Sequence, residues 1–300
     1  MTQSPFAADS AHKTCPLPDG RKLGFAEGGD PKGVPVFYFH GFPGSRLEAT
    51  LLPPSGIRLI GVDRPGYGLS TASPWRKLAD WPKEIEVLAD HMGLKRFGVI
   101  GVSGGAPYAS SVAHGLGDRV NALALICGLG PPHVPGMMFG SKQGLARALR
   151  ITPARLTLAA FARQIMLSDR ALGHMRNLRT RRNPRPAADT ALREGPMMGL
   201  MVQSWREGLK RSSLGIAADA RIYGEPWHFA PSAIKVPTGI WHGRADVVVP
   251  VSIGEFYAAE IKGAVSHFPT DDGHFSVVVN SYKAITEFLI AKARRETNAA

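Results

Sequence analysis

The sequence predicts an α/β fold with a mostly parallel central sheet, helices on both faces and an inserted helical cap. Segments with the pattern of buried strands alternate with segments of helical spacing, which favours a parallel sheet. The alternation stops near residue 131 and resumes near residue 231, and the stretch between is helical in character. We therefore expect a core domain from residues 1–130 and 231–300, and a cap from residues 131–230.

The predicted strands are apolar runs rich in β-branched and aromatic residues. In chain order they are residues 21–27, 34–40, 57–63, 96–102, 120–127, 236–242 and 264–268. The predicted helices of the core show apolar residues at helical spacing, as at Trp81, Ile85, Leu88 and Met92. The first of these helices begins at residue 81, and the other three span residues 106–114, 252–261 and 276–293.

Composition is that of an ordinary globular protein. The chain has 300 residues, 44% of them hydrophobic, so it can bury a large core. No apolar run approaches the roughly 20 residues of a membrane-spanning helix, and residues 1–14 lack a signal-peptide pattern. Cys15 and Cys127 have neither metal-ligand spacing nor a disulfide pattern, and a reducing cytoplasm is the simplest expected location.

The positive charge is concentrated in one segment. The net charge is +12, and residues 141–221 contain 16 Lys or Arg and 5 Asp or Glu. The richest part holds Arg176, Arg179, Arg181, Arg182 and Arg185. No nucleic-acid-binding motif or interleaved aromatic residue accompanies them, so we expect a solvated face and no obligatory nucleic acid partner. Attraction of an anionic substrate is the sharper alternative.

Residues 98–105, Gly-Val-Ile-Gly-Val-Ser-Gly-Gly, place a Gly-x-Ser-x-Gly turn between a predicted strand and a predicted helix. Such a turn exposes a serine hydroxyl, and it crowds the two elements, so the positions two before and two after the serine must be small. Here they are Gly101 and Gly105. The glycine spacing does not match a dinucleotide-binding loop, and no phosphate-binding loop motif occurs. Ser103 is therefore the candidate nucleophile, although a five-residue pattern also arises by chance.

Three further motifs follow predicted strands in order. They are His40-Gly41-Phe42-Pro43-Gly44-Ser45, Trp241-His242-Gly243-Arg244-Ala245-Asp246 and Asp271-Asp272-Gly273-His274-Phe275. With these motifs, the chain resembles α/β-hydrolase-fold enzymes, of the serine hydrolase and esterase kind, over about residues 21–293. The order Ser103, Asp246, His274 is the order in which that family carries its catalytic residues.

The resemblance implies a role for each residue. Ser103 would be the nucleophile, His274 its base, and Asp246 the acid that orients the imidazole. The backbone N–H groups of Phe42 and Gly104 would form the oxyanion hole. Gly104 departs from many relatives, which carry a larger residue after the nucleophile.

Other polar residues near the motifs are expected to have structural roles. His40 is expected to hold its loop rather than to act as a base, and residues 63–70 resemble a structural turn of the family. Asp271 and Asp272 would fix the loop of His274, although either could contact the ring. His228, His242 and His267 compete for the role of base but do not lie in a loop after the last strand. Residues 128–130 offer no alternative acid.

The expected reaction is acyl transfer to water through an acyl-enzyme, on a small, apolar substrate, with no metal or organic cofactor. Serine in place of aspartate argues against haloalkane dehalogenases and epoxide hydrolases. Carbon–carbon bond hydrolases, hydroxynitrile lyases, haloperoxidases, aminopeptidases and a receptor with low turnover stay open, as does, well behind them, a basic surface for anionic membranes or nucleic acid. Oligomeric state is not predicted. Substrate contacts are expected in the cap, whose apolar residues include Met137, Met138, Phe139, Met197, Met198, Met201 and Trp205.

Overall fold

The computed structural model describes residues 11–53, 55–136, 152–169 and 186–297. Its centre is an eight-stranded sheet with the order β1-β2-β4-β3-β5-β6-β7-β8. The strands are β1 Lys13–Pro16, β2 Lys22–Gly29, β3 Val34–Phe39, β4 Ile57–Val62, β5 Phe97–Val102, β6 Val120–Ile126, β7 Thr238–Trp241 and β8 Val265–His267. The pairings of β2 with β1 and with β4 are antiparallel, and every later pairing is parallel.

We number the α-helices of the described residues in chain order. They are α1 Trp81–His91, α2 Ala106–Gly115, α3 Thr152–Leu167, α4 Ala187–Glu194, α5 Pro196–Leu209, α6 Leu214–Gly224, α7 Val251–Glu260, α8 Ser276–Asn280 and α9 Tyr282–Thr297. Helices α3 to α6 lie between β6 and β7, in the segment where strand patterns are missing from the sequence.

Helices cover both faces of the sheet because successive strand residues point to opposite sides. Phe37 and Phe39 of β3 belong to a core cluster with residues of α1, α2 and α7, such as Trp81. Val36 and Tyr38, on the other face of the same strand, belong to a second cluster with residues of α9. The predicted fold class, a mostly parallel sheet between helical layers, is therefore confirmed.

Two elements differ from the sequence prediction. β1 was not predicted, because its four residues Lys-Thr-Cys-Pro carry one buried side chain and form only the antiparallel edge of the sheet. The predicted closing helix over residues 276–293 is two helices, α8 and α9, with the break at Ser281. Apolar spacing continues through the break, so the pattern gave no sign of it.

The segment between β6 and β7 is helical over much of the part that the structure describes, in agreement with the inserted helical cap. Its limits at residues 131 and 230 stay a prediction. Met137, Met138, Phe139 and the five arginines between residues 176 and 185 lie outside the described residues. Among the described residues, no helix is long and apolar enough to cross a membrane.

The strand-to-helix turn after β5 is packed too closely for side chains at its glycines. A Cβ on Gly101 would lie 2.6 Å from Ala109 Cβ, and one on Gly105 would lie 2.1 Å from the Phe39 carbonyl oxygen. The second contact is with the backbone of β3, which cannot move without disturbing the sheet. Gly101 is therefore required by the crossing of β5 and α2, and Gly105 by the close approach of the turn to β3.

We predict that Gly105→Ala lowers the free energy of unfolding by about 1–3 kcal/mol, because the added methyl group overpacks a rigid backbone contact. Gly199→Ala is the matched control, since a Cβ at this position in α5 meets nothing within 4 Å. It should be neutral or raise stability by about 0.5–1 kcal/mol. Urea unfolding of both variants measures the difference, and equal effects would contradict the packing argument.

Candidate active site

Ser103 lies immediately after β5, in the turn that leads into α2. Its φ of 52° is in the left-handed region, where residues other than glycine are uncommon and strained. Its side chain is only partly buried. The strain, together with the tight packing of Gly101 and Gly105, keeps the hydroxyl at the edge of the sheet, where the parallel strands end.

The structure brings Ser103, His274 and Asp246 together from three separate loops. The Ser103 Oγ lies 3.0 Å from His274 Nε2, and His274 Nδ1 lies 2.7 Å from Asp246 Oδ2. An ionised carboxylate only accepts hydrogen bonds, so Nδ1 carries the proton and Nε2 is free to accept from the serine hydroxyl. The three side chains form one line of hydrogen bonds, with His274 in the middle.

Asp246 is held as a carboxylate. Burial opposes its charge, but His274, His242 and the backbone outweigh this and hold the pKa of Asp246 well below its usual range. Its Oδ1 accepts hydrogen bonds from the N–H groups of Val248 and Val249 at 2.7 and 2.9 Å. The acid is therefore fixed in position and stays ionised at neutral pH.

Cys127 is a third neighbour of this pair. It follows β6 with a φ of 42°, it is fully buried, and its sulfur, an Asp246 oxygen and a His274 nitrogen lie within 4.8 Å of one another. Burial raises the pKa of the Cys127 thiol, so it is neutral, and Asp246 carries the negative charge of the site. The sequence showed Cys127 only as the end of an apolar strand.

His274 is buried beside these two groups. Burial disfavours the imidazolium, whereas the Cys127 and Asp246 side chains favour it, and on balance the pKa of His274 lies above that of an ordinary histidine. Because Cys127 is a neutral thiol, we attribute the rise to the Asp246 carboxylate. His274 therefore binds a proton more strongly than a free imidazole does.

Phe42 and Gly104 are neighbours beside Ser103. A Cβ on Gly104 would lie 2.7 Å from Phe42 Cβ and 3.3 Å from the Phe42 nitrogen. It would also lie 2.7 Å from the hydroxyl oxygen of Tyr223, which donates a 2.7 Å hydrogen bond to the Gly104 carbonyl. Because Phe42 and Tyr223 of α6 occupy this space, a residue with a side chain does not fit at position 104, directly after the serine.

Asp219 of α6 is the centre of a buried polar cluster. It is fully buried, and the positive charges of Arg64 and Arg76 outweigh the effect of burial and hold its pKa low. Its two oxygens accept hydrogen bonds from Arg64, Arg76, Tyr67 and Tyr108, and the Tyr223 hydroxyl oxygen lies 3.3 Å from Oδ2. A buried carboxylate is stable only when it is paired in this way.

Arg64 connects that cluster to the turn that holds Phe42. One of its nitrogens donates to Asp219 at 2.8 Å and also to the Gly41 carbonyl at 3.0 Å, and another donates to the His40 carbonyl. His40 is fully buried; burial and the charge of Arg64 lower its pKa well below the usual value. Its Nδ1 donates to the Gly41 carbonyl and its Nε2 accepts from the Arg64 N–H. His40 thus holds its loop, as expected.

Asp63 and Asp272, two further residues expected to be structural, also hold their turns. Asp63 is buried and accepts hydrogen bonds from the Arg46 N–H and the Leu69 N–H, which closes the turn over residues 63–70. Asp272 accepts a 2.6 Å hydrogen bond from Asn280 Nδ2 and so fixes the loop of His274. His242 lies 3.4 Å from Asp246 and is a neighbour of the acid.

Three acidic residues of the basic segment were missed as functional candidates. Asp189, Glu207 and Asp219 are among its five acids, and each bonds to the core: Asp189 to the loop of His274, Glu207 to Arg46 and Asp219 to Arg64. The segment has 16 Lys or Arg and 5 Asp or Glu, so acidic residues are scarce in it, and three of the five bond to the core. That imbalance was the available signal.

Glu48 lies next to the turn that carries Gly41 and Phe42. It is buried, and its Oε2 accepts from the Gly41 N–H at 3.2 Å and the Tyr38 hydroxyl at 3.3 Å. Burial raises the pKa of Glu48 to about 7. Among the described residues, its Oε1 has no hydrogen-bond partner, which adds to the cost of its charge.

Comparisons with known proteins agree with this architecture. The family model described as α/β hydrolase fold matches residues 34–281. An uncharacterized hydrolase of Bacillus subtilis is 32% identical over 110 residues, 36% of this chain and 38% of that protein. A non-heme haloperoxidase of Rhodococcus erythropolis is 27% identical over 243 residues, 78% of this chain and 82% of that protein. The solved structure of a thermophilic esterase from Thermogutta terrifontis superposes with a TM-score of 0.67, at 22% identity, and covers 95% of this chain and 98% of that one.

We predict a pH-dependent effect of Glu48→Gln on stability. The folded protein keeps a proton on Glu48 up to about pH 7, whereas the unfolded chain loses it near the usual pKa of 4.5, so stability falls as the pH rises through this window. The amide of the variant does not ionise, so the variant should gain on the order of 3 kcal/mol relative to wild type at pH 8 and much less at pH 5. Urea unfolding at both pH values measures this. The exposed Glu260→Gln should show no such pH difference, and equal gains for Glu48→Gln at both pH values would contradict the burial argument.

Proposed function

Because the chain belongs to the α/β-hydrolase-fold family, we propose that it is a serine-dependent hydrolase of the carboxylesterase kind, acting on an ester or related acyl bond of a small, apolar substrate. The observation that carries the proposal is the line of hydrogen bonds from Ser103 through His274 to Asp246. A nucleophile bonded to a base that is itself oriented by a third group is the signature of acyl transfer.

The proposed mechanism uses each of these residues in turn. His274 Nε2 takes the proton of Ser103 as the hydroxyl oxygen attacks the substrate carbonyl carbon, and Asp246 stabilises the imidazolium. The N–H groups of Phe42 and Gly104 receive the oxyanion, and each such donor is worth roughly a hundredfold or more in rate. His274 then protonates the leaving group. Water attacks the acyl-enzyme with His274 again as base, so the acid leaves and Ser103 regains its proton.

The nature of the substrate is inferred from the surroundings of Ser103. The partly buried rings of Phe42 and Phe275 lie beside the nucleophile and the base, and Met201 and Trp205 are on α5. The same helix contacts the turn after Phe42, where Ser204 bonds to Ser45 at 2.7 Å. Apolar walls with a few polar groups at the reacting centre suit a small acyl or aromatic ligand. The cap limits of residues 131 and 230 and the cytoplasmic location are part of this proposal.

A second candidate function is supported by the similarity to the Rhodococcus haloperoxidase. Hydrogen peroxide would replace water in the second step and attack the acyl carbon. The ester bond to Ser103 would break, Ser103 would regain its proton from His274, and a peroxycarboxylic acid would leave. That acid would then oxidise a halide in solution. Formation of peracid by wild type and not by Ser103→Ala, in the presence of acetate and peroxide, would support it; ester hydrolysis without peracid would exclude it.

We predict that a fluorophosphonate labels Ser103. Intact mass should show one adduct on wild type, none on Ser103→Ala, and an unchanged adduct on the control Ser266→Ala, which changes an exposed serine of β8. Activity on a panel of short-chain esters should fall by roughly 10³-fold or more in Ser103→Ala and His274→Ala. A folded wild type that is not labelled would overturn the proposal. Labelling without turnover of any ester, thioester or amide would instead favour a receptor or a carbon–carbon bond hydrolase.

We also predict the pH dependence of this labelling. Only neutral His274 can take the serine proton, so the rate constant should rise with pH and level off above the imidazole pKa. That pKa is raised by Asp246, so the midpoint should lie above 6.5. Asp246→Asn should lower the midpoint and the plateau together. A rate that is independent of pH between about 5 and 9 would contradict the role of His274.

A further inference from the structure

We propose that Asp189, on cap helix α4, is a positioning residue that fixes His274 in its reactive orientation. The proposal rests on the proposed function, because it concerns the residue that would act as base. Asp189 is separated from His274 by 85 positions in the sequence and belongs to the cap, so no motif pointed to it. The geometry brings its carboxylate directly under the loop that carries the histidine.

Both carboxylate oxygens of Asp189 accept hydrogen bonds from residues 274–276 of that loop. Its Oδ2 accepts a 3.0 Å hydrogen bond from the His274 N–H. Its Oδ1 accepts from the Phe275 N–H at 3.1 Å, the Ser276 N–H at 2.8 Å and the Ser276 hydroxyl at 2.8 Å. Four donors on one fully buried carboxylate satisfy almost all of its accepting capacity.

The contact is also tight sterically. A Cβ on Gly273 would lie 2.5 Å from Asp189 Oδ2 and 2.6 Å from the Pro186 side chain. The loop therefore approaches the cap as closely as its backbone allows, and the glycine next to His274 is the residue that permits it. Both the hydrogen bonds and the packing define one position for residues 273–276.

Holding these N–H groups matters for the imidazole because the side chain of His274 extends from the same backbone. His274 Nδ1 must stay 2.7 Å from Asp246 Oδ2, and His274 Nε2 must stay 3.0 Å from Ser103 Oγ. Two short bonds to fixed partners tolerate little movement of Cα. A shift of about 1 Å in a catalytic group can cost on the order of a hundredfold in rate.

The experiment compares three substitutions at this contact. Asp189→Ala removes both acceptor oxygens and with them all four hydrogen bonds. Asp189→Asn is isosteric and can keep its oxygen toward Phe275 and Ser276 only by turning its amide N–H₂ toward the His274 N–H, so it loses that bond alone. Gly273→Ala pushes the loop away from an intact Asp189. Asp169→Asn is the control, because it makes the same change of charge on an exposed cap residue paired with Arg206.

Three measurements report on each variant: the fluorophosphonate labelling rate constant, the imidazole pKa of His274 by NMR, and amide exchange of residues 274–276. We expect labelling to fall about 10- to 100-fold in Asp189→Ala and Gly273→Ala, and less in Asp189→Asn. The pKa of His274 should fall toward about 6.5 as its bond to Asp246 weakens, and amide exchange should accelerate. Asp169→Asn should match wild type in all three.

The outcomes separate the two proposals. Faster exchange in Asp189→Ala with an unchanged labelling rate and an unchanged His274 pKa would show that Asp189 only stabilises the fold, and would overturn the inference. A wild type that is not labelled would defeat the proposed hydrolase, while the His274 pKa and the exchange rates would still decide whether Asp189 positions the ring. If Asp189→Ala does not fold, Asp189→Asn and Gly273→Ala provide the same readouts.

Discussion

The buried carboxylate of Asp219 ties helix α6 to the core and to the turn that holds Phe42. A carboxylate without solvent must be paired, and here two guanidinium groups and the hydroxyls of Tyr67 and Tyr108 donate hydrogen bonds to it. Arg64 cannot leave Asp219 without also releasing the carbonyl groups of His40 and Gly41, to which it donates. The charge pairing therefore decides where the turn carrying Phe42 lies relative to Ser103. Removing the carboxylate would leave two buried cations, at a cost of several kcal/mol.

Asp219 and Asp189 link the helices between β6 and β7 to both ends of the candidate site. Asp219 and Tyr223 of α6 fix the Phe42 and Gly104 side, and Asp189 of α4 fixes the His274 side. Between them, α5 is tied to the core by Ser204, by Glu207 and by the Gly208 carbonyl, which accepts from the Gly68 N–H. Because α4, α5 and α6 bond to the residues around the candidate site at several points, they help to fix its geometry.

The sequence was sufficient for features that depend on local pattern. The alternation of β-branched runs and helical spacing predicted the parallel sheet, and the Gly-x-Ser-x-Gly turn predicted Ser103. The resemblance of two further short motifs to those of α/β hydrolases implied Asp246 and His274. Asp189, Asp219 and Tyr223 could not be found in this way. Their partners are 85 to 155 positions distant, and the pairing depends on how the cap helices pack. β1 was missed for a related reason, since an edge strand buries too little to show a pattern.

Under the proposed function, the same contacts limit how a substrate can reach Ser103. A rotation of helices α4 to α6 as one body would separate Asp219 from Arg64 and Asp189 from the His274 loop. The charged side chains would lose their partners, and the residues on both sides of the site would no longer be held in place. The free energy of breaking even one such buried pair is several kcal/mol, a large fraction of the stability of an ordinary domain. We therefore expect α4 and α6 to stay in place when a substrate reaches Ser103. Under the proposed function, specificity would then depend on the fixed positions of Phe42 and Tyr223 beside Gly104 more than on displacement of these helices.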